Sequence, residues 1–193
     1  WYARPALAKG AREALVIGGG MAGCASAASL AARGWQVTLI ERHAGLAEEA
    51  SGNPQGVLYL KLSAHGTALS RLIVSGFGHT RRLIQRLQKG EEWSDCGVLQ
   101  LGFDEAEAGR QAKLAEAFPG SLLRLLDKAE AESLAGVGLP AGGLFYPEGG
   151  WVHPPALCRH LAQHPNIRVL AGEEVRLQRE ADGWSAWSGD AKL

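Results

Sequence analysis

The sequence predicts an α/β fold that begins with a strand–helix–strand unit. Three observations predict it: a short apolar run at Ala14–Ile17, the glycine turn Gly18-x-Gly20-x-x-Gly23 directly after it, and a second apolar run at Trp35–Ile40 that ends on Glu41. Apolar runs of this length are typical of buried parallel strands. The order strand, glycine turn, helix and strand is that of a βαβ unit.

The glycine turn carries the first functional prediction. Gly18 permits a tight turn, Gly20 lets the backbone approach a pyrophosphate, and Gly23 lets the next helix pack against the strand. The helix N-terminus also offers free N–H groups and a partial positive charge. Glu41 follows Gly18 by 23 residues, where its carboxylate can accept hydrogen bonds from an adenosine ribose. We therefore predict a dinucleotide site; the alternative is a glycine-rich turn with Glu41 at a surface strand end.

The residues between the two strands predict a thin helix. Ala22–Arg33 consists almost entirely of Ala, Ser, Cys and Leu, so such a helix can lie close to a sheet. Gly34 stands where a helix commonly ends in a left-handed residue.

A second small and glycine-rich loop, residues 50–59, predicts which dinucleotide binds. A nicotinamide-type Rossmann domain usually proceeds at this point into another helix and strand. Flavoproteins of the D-amino-acid-oxidase type instead place such a loop against the pyrophosphate and the flavin, and the sequence is similar to theirs. FAD is therefore preferred over NAD. The loop residues assigned to the cofactor are Ser51, Gly52, Asn53, Gln55 and Gly56, and Arg42 is assigned to it as well.

The rest of the chain alternates predicted helices and strands. An amphipathic helix runs through Leu69–Leu87 and contains Gly76 and Gly78, where we expect a kink. Further strands are predicted at Gly97–Phe103, Gly142–Tyr146 and Ile167–Leu170. Further helices are predicted at Glu105–Phe118, at Asp127–Leu134 with a capping box of Asp127 and Glu130, and from Pro154-Pro155 to Pro165. The chain is then predicted to form a hairpin of Val175–Glu180 and Trp184–Trp187 around the turn Asp182-Gly183.

Composition limits the class of protein. The chain has 193 residues, is 46% hydrophobic and has a formal net charge of zero, which excludes intrinsic disorder. Its longest apolar runs fall far short of the ~20 residues of a membrane span, and its beginning has no signal peptide, so we expect a soluble cytoplasmic protein. Three scattered cysteines predict neither a disulfide framework nor a metal site.

Four stretches together resemble one family. They are Gly18–Gly23, Gly34–Leu39, Ala50–Gly56 and Gly149–Pro154, and they are similar to the FAD-dependent C-terminal half of the bifunctional tRNA 5-methylaminomethyl-2-thiouridine biosynthesis proteins. The opening Trp1–Pro5 resembles the linker between the methyltransferase and oxidoreductase halves of that family. The chain then represents the first part of the oxidoreductase half. Leu60-Lys61 departs from the Leu-Tyr-Pro that the family usually has there, so the flavin-side loop is expected to differ in shape.

The resemblance implies a domain organisation and an activity. Residues 1–12 form a linker, 13–65 an FAD-binding Rossmann-like segment, 66–150 a partial, interleaved α+β substrate domain, and 151–193 the return to the FAD-binding domain. The family's oxidoreductase half removes the carboxymethyl group from carboxymethylaminomethyl-uridine in tRNA, giving aminomethyl-uridine and glyoxylate. The methyltransferase half of the same polypeptide and tRNA are then its partners. Val175 corresponds to a stretch that meets adenine through its backbone; the alternative is an ordinary hairpin residue.

No residue is assigned a catalytic role from the sequence. His65, His79 and His153 are isolated from acidic neighbours, and Tyr146 and Trp151 line either a substrate pocket or the core. Arg71, Arg82, Arg86 and Lys89 fall on one predicted helix face, which is either a solvated face or a contact with tRNA phosphates.

Two rival functions stay open at this stage. One is a small-molecule amine oxidase acting on glycine or sarcosine, which shares the flavin scaffold. The other is a truncated, non-catalytic piece, because the chain stops before the later strands of such a domain.

Overall fold

The structure, a computed structural model, describes residues 12–181 and 183–192. The predicted linker, apart from residue 12, and Asp182 of the predicted turn lie outside the described residues. The helices are α1 (Met21–Ala31), α2 (Ala68–Ile84), α3 (Glu105–Ala117), α4 (Lys128–Ala135) and α5 (Pro154–Ala162). The strands are β1 (Glu13–Ile17), β2 (Gln36–Glu41), β3 (Gly56–Leu58), β4 (Trp93–Ser94), β5 (Val98–Leu101), β6 (Arg124–Leu126), β7 (Gly143–Tyr146), β8 (Gly150–Val152), β9 (Ile167–Ala171), β10 (Arg176–Glu180), β11 (Gly183–Ser188) and β12 (Ala191–Lys192).

The chain divides into two units with boundaries that differ from the predicted ones. Of the described residues, the first unit comprises 12–54, 154–181 and 183–192, and the second comprises 55–153. The prediction placed residues 55–65 and 151–153 in the FAD-binding segments. They belong to the second unit because β3 pairs antiparallel with β8, with Val57 opposite Trp151. The division of the chain therefore follows this non-local strand pairing.

The first unit contains a parallel sheet with the order β1-β2-β9. Ile17 pairs with Ile40 and Glu41 pairs with Ala171, so the carboxyl ends of the three strands lie at one edge. The small-residue helix predicted after the glycine turn is present as α1, and it packs against α5. Its small side chains make this close packing possible, since Cys24, Ala27 and Ala31 are buried.

The second unit is built on two antiparallel sheets, β3-β8-β4 and β5-β7-β6. Its core consists of Leu60, Leu62, Phe77, Leu114, Leu123, Leu144 and Tyr146. Helix α2 contributes Phe77 to this core and runs without interruption through Gly76 and Gly78, and the predicted kink stays a prediction. A helical glycine weakens a helix through backbone entropy, but burial of the apolar side of α2 compensates for it. No described helix is both long enough and apolar enough to cross a membrane.

The terminal hairpin differs from the prediction by one residue. Glu180 pairs with Gly183, so Gly183 begins the returning strand β11, whereas the sequence placed it in the turn. This register turns Ser185 and Ala186 to positions where they are 3% and 0% exposed.

Candidate functional site

A cavity of about 410 Å³ lies at the carboxyl ends of β1 and β2. Open parallel sheets bind their ligands at this edge. The cavity is also lined by the loop of residues 47–51 and by residues 173–175. Six of the residues predicted to bind the cofactor meet there: Gly18, Gly20, Glu41, Arg42, Ser51 and Val175.

The glycine turn has the backbone geometry that its sequence predicts. Gly18 has a φ of +99°, a backbone conformation that residues with a side chain rarely adopt. A Cβ atom on Gly23 would lie 1.8 Å from the Gly18 carbonyl oxygen, so only glycine allows α1 to start this close to β1. A Cβ atom on Gly20 would lie 3.1 Å from Ser51 Oγ. At each of the three positions, a different backbone or steric constraint therefore favours glycine.

The carboxylate of Glu41 is buried and held by two backbone donors. Glu41 is 7% exposed. The N–H of Gly19 donates to Oε2 at 2.6 Å, and the N–H of His43 donates to Oε1 at 2.8 Å. Each carboxylate oxygen has a second lone pair that remains available to a ligand hydroxyl. Glu41 is thus part of the cavity wall, which excludes the alternative of a surface strand end.

The loop after Glu41 is docked on the glycine turn and on the start of α1. The N–H of Ala47 donates to the Gly19 carbonyl at 3.0 Å, and Met21 donates its N–H to Ser51 Oγ at 3.0 Å. Ala47 has a φ of 63°, the left-handed conformation. Gly52 leaves no room for a Cβ atom, which would lie 2.7 Å from the Ala47 carbonyl oxygen. The role of Ala47 was missed, because an alanine gives no signal of a left-handed backbone.

An exposed charge cluster stands at the cavity. Arg42 Nη2 and His43 Nε2 both contact Glu49 Oε1, the histidine nitrogen at 2.8 Å. The hydrogen bond from His43, together with that from Arg42, holds the pKa of Glu49 below its usual range. Glu49 in turn raises the pKa of Arg42. The sequence prediction included Arg42 but missed Glu49, whose partner lies seven residues earlier.

Two segments close the wall of the cavity. The N–H of Glu173 donates to the Glu41 carbonyl at 2.9 Å, and the N–H of Gly172 donates to the His43 carbonyl at 2.7 Å. These bonds bring Val175 to the cavity. Asn53 donates from its side chain to the Ala50 carbonyl at 3.0 Å and so stabilises the loop itself.

The other candidates lie in the second unit. Gln55 and Gly56 belong to this unit, and their assignment to the cofactor stays a prediction. Tyr146 is 1% exposed and packs edge-on against Tyr59 with ring centroids 5.8 Å apart. Burial raises the pKa of Tyr146 to about 12. Tyr146 is therefore a core residue.

The histidine candidates show no catalytic arrangement. His65 and His79 are exposed, and His153 is partly buried with its N–H donated to the Glu92 carbonyl at 2.7 Å. Trp151 is partly buried in β8.

The residues present fit a dinucleotide cofactor such as FAD. The glycine turn leaves space at Gly20 that a side chain would fill, and the first turn of α1 presents N–H groups that lack partners within the helix. The buried Glu41 carboxylate supplies acceptors for ribose hydroxyls, and Val175 is one of the residues that line the cavity. These four features match the requirements of a pyrophosphate and an adenosine.

Comparison with protein families identifies one family. The model of the family DAO, described as FAD dependent oxidoreductase, matches residues 13–191.

Comparison with curated proteins finds closely similar sequences. The chain is 73% identical over 193 residues to the tRNA 5-methylaminomethyl-2-thiouridine biosynthesis bifunctional protein MnmC of Pseudomonas paraeruginosa (strain DSM 24068 / PA7). It is 69% identical over 194 residues to the protein of the same name from Pseudomonas putida (strain W619). Each match covers all of this chain, which spans only about 30% of the length of these relatives.

Comparison with solved structures finds the same fold. L-α-glycerophosphate oxidase from Mycoplasma pneumoniae, solved with FAD bound, is 25% identical with a TM-score of 0.71 and matches 94% of this chain and 50% of that one. Glycine oxidase from Geobacillus kaustophilus is 22% identical with a TM-score of 0.74 and matches 94% of this chain and 52% of that one.

Proposed function

The chain belongs to the DAO family of FAD-dependent oxidoreductases, and we propose that the protein containing it removes a carboxymethyl group from a modified wobble uridine in tRNA. The substrate is carboxymethylaminomethyl-uridine, with or without the 2-thio group, and the products are aminomethyl-uridine and glyoxylate. FAD is the cofactor of the family, and the cavity at Glu41 is its adenosine-side site in this chain.

The reaction balances as an oxidation followed by a hydrolysis. FAD, when bound, would supply the two-electron acceptor for the hydride equivalent that leaves the CH₂ beside the carboxylate, and dioxygen or another two-electron acceptor would reoxidise it. The neutral secondary amine gives up its proton as its C–N single bond becomes a C=N bond. Water then adds to this C=N bond, and cleavage of the carbon–nitrogen bond releases glyoxylate and the primary amine.

The described residues contribute binding and orientation. Gly20 and the start of α1 would hold the pyrophosphate of the cofactor, and Glu41 would hold its ribose. Two backbone hydrogen bonds hold the carboxylate of Glu41 in a fixed orientation at the cavity.

One observation carries the proposal: the chain is 73% identical, over its whole length, to a protein named for tRNA 5-methylaminomethyl-2-thiouridine biosynthesis. That name also calls the relative bifunctional, and this chain covers about 30% of it. We therefore propose that a methyltransferase half is joined to this oxidoreductase in one polypeptide and that tRNA is the substrate of both.

The test is a reaction of the full-length, FAD-loaded protein with tRNA carrying carboxymethylaminomethyl-uridine. We expect the nucleoside to lose the mass of the carboxymethyl group and one glyoxylate to appear per nucleoside converted. A matched tRNA with unmodified uridine at that position serves as the control. Unchanged nucleosides in the presence of FAD-loaded protein would refute the proposal.

A second candidate is oxidation of a free small amine, which the fold of glycine oxidase supports. That similarity is one of fold alone, so the candidate is tested in the same experiment. Turnover of glycine or sarcosine without RNA, at a kcat/KM above that for modified tRNA, would favour it. A third candidate, a non-catalytic piece, is favoured if the purified chain of 193 residues shows no flavin absorbance.

A further inference from the structure

Positive charge is concentrated in one segment of a chain that is neutral as a whole. Residues 50–90 contain no aspartate and no glutamate, although the chain has 20 acidic residues. The same segment holds six lysines and arginines: Lys61, Arg71, Arg81, Arg82, Arg86 and Lys89. Residues 50–90 are therefore strongly basic although the net charge of the chain is zero. Most of their basic residues lie in and directly after α2.

Helix α2 gathers part of this charge on one side. Arg71 and Arg82 are eleven residues apart, which is close to three full turns of an α-helix. Arg86 follows Arg82 by four residues, in the turn after α2, where its N–H still donates to the Leu83 carbonyl at 3.2 Å. His79 lies one turn before Arg82. All four side chains are exposed, and we call this set, Arg71, His79, Arg82 and Arg86, the basic face.

The arginines of the basic face lack the acidic partners that neighbouring cations have. Arg81 pairs with Glu148 at 2.6 Å, and Lys89 pairs with Asp95 at 2.6 Å. Lys89, which the sequence placed on the same helix face, lies beyond the end of α2. Within residues 12–181 and 183–192, no salt bridge includes an arginine of the basic face.

Repulsion among these positive charges lowers the stability of the helix by itself and favours the binding of a polyanion. Like charges four residues apart, such as Arg82 and Arg86, repel each other and weaken a helix. The repulsion is relieved when an anion neutralises them. Arginine also presents a fork of donors that matches phosphate oxygens. From Arg71 to Arg86 the basic face extends for about 22 Å at 1.5 Å per residue, enough to contact more than one phosphate.

We propose that the basic face binds the phosphate backbone of the RNA substrate. This inference rests on the proposed function, since that function makes tRNA the substrate. Contacts between arginines and backbone phosphates depend on charge and position and not on the base, so they contribute to affinity for tRNA and not to the recognition of the modified base.

The test compares two variants of the full-length, FAD-loaded protein. One carries Arg71→Gln, Arg82→Gln and Arg86→Gln. The matched control carries Arg33→Gln, Lys128→Gln and Arg179→Gln, which removes three exposed charges from other elements. Binding of tRNA with unmodified wobble uridine is measured by fluorescence anisotropy over a range of salt concentrations. FAD content and Tm are measured on each variant.

We expect the basic-face variant to weaken tRNA binding about 100-fold at 0.1 M salt and to reduce the slope of log K against log salt by about 2, as expected for three lost phosphate contacts. Its KM for modified tRNA should rise while kcat at saturation stays within twofold, and FAD content and Tm should match the control variant. Equal tRNA affinity of the two variants would overturn the inference and leave the proposed function standing. A protein that neither binds nor converts tRNA before any substitution would overturn both.

Discussion

The carboxylate of Glu41 accepts a hydrogen bond from the backbone N–H of Gly19 at 2.6 Å, across 22 positions of the sequence. This bond joins the end of β2 to the glycine turn after β1, so the two parts of the dinucleotide motif form one structure. The other oxygen of the same carboxylate accepts from the N–H of His43. The acid therefore has a structural role in addition to the ribose contact that its position predicts.

Replacing Glu41 by Gln should lower both stability and FAD affinity. The amide has one oxygen, and its NH₂ group would face a backbone N–H, so either Gly19 or His43 would lose its acceptor in a buried place. We expect the free energy of unfolding to fall by about 2 kcal/mol and FAD to bind at least about tenfold more weakly. Chemical denaturation and FAD titration of the apoprotein measure these effects. The control is Glu13→Gln, at an exposed residue at the start of β1, which should change neither the free energy of unfolding nor the FAD affinity. An E41Q protein with unchanged stability and FAD affinity would contradict the role given to Glu41.

Replacing Gly23 by Ala should prevent α1 from packing in its present place. The added Cβ atom would lie 1.8 Å from the Gly18 carbonyl oxygen, and backbone on both sides would have to move. We expect a loss of about 3 kcal/mol in stability and loss of bound FAD. The matched control is Gly76→Ala in α2, where the added Cβ would meet no described atom within 4 Å apart from the adjacent residues and the nearby backbone of its own helix. That change should stabilise by about 0.5–1 kcal/mol. Equal Tm values for the two variants would be inconsistent with this packing.

Replacing Gly20 by Ala, alone and together with Ser51→Ala, should distinguish a clash of the new Cβ atom with Ser51 from a clash with the cofactor. Its Cβ atom would lie 3.1 Å from Ser51 Oγ but 3.8 Å from Ser51 Cβ. The double variant G20A/S51A should therefore recover the Tm of S51A alone. If the pyrophosphate lies against Gly20, FAD affinity should stay low in both variants that carry G20A. Recovery of FAD affinity in the double variant would show that the pyrophosphate does not need this space.

Local motifs were predictable from the sequence, and contacts between distant segments were not. The capping box of Asp127 and Glu130 is present, with both hydrogen bonds between 2.8 and 2.9 Å, because its members lie within one turn. The glycine turn and Glu41 were predictable because a βαβ unit fixes their spacing. The pairing of β3 with β8 was missed, since strands of three residues about 90 positions apart give no periodic signal. The bond from Met21 to Ser51 was missed for the same reason.

The three cysteines should react at very different rates. Cys24 and Cys158 are both 0% exposed, whereas Cys96 is exposed. A hydrogen bond with Cys158, together with burial, raises the pKa of the Cys24 thiol, so its reactive thiolate form is disfavoured. Maleimide labelling followed by peptide mass spectrometry should modify Cys96 in the native protein and the other two only in denaturant. Native labelling of Cys24 as fast as that of Cys96 would argue against the packing of α1 on α5.

Stability should depend on pH through Glu107, whose carboxylate is the centre of a hydrogen-bond cluster in the second unit. It accepts from Arg110 at 2.6 and 2.8 Å and from the side chains of Gln100 and Gln111 at 3.1 and 3.0 Å, and it is 13% exposed. The hydrogen bond from Arg110 holds the pKa of Glu107 below its usual range. A lowered pKa stabilises the fold fully above the unfolded pKa of about 4.3, and this contribution disappears as the pH falls through the folded pKa.

Glu107→Gln should therefore cost about 1–2 kcal/mol at pH 7 and progressively less below pH 4. Urea unfolding at pH 7, 5, 4 and 3 measures this difference from the unsubstituted protein. Glu116→Gln, an exposed residue of the same helix α3, is the control and should show no such trend. A penalty for E107Q that is equally large at pH 3 and pH 7 would mean that the cluster depends on the shape of the side chain and not on its charge.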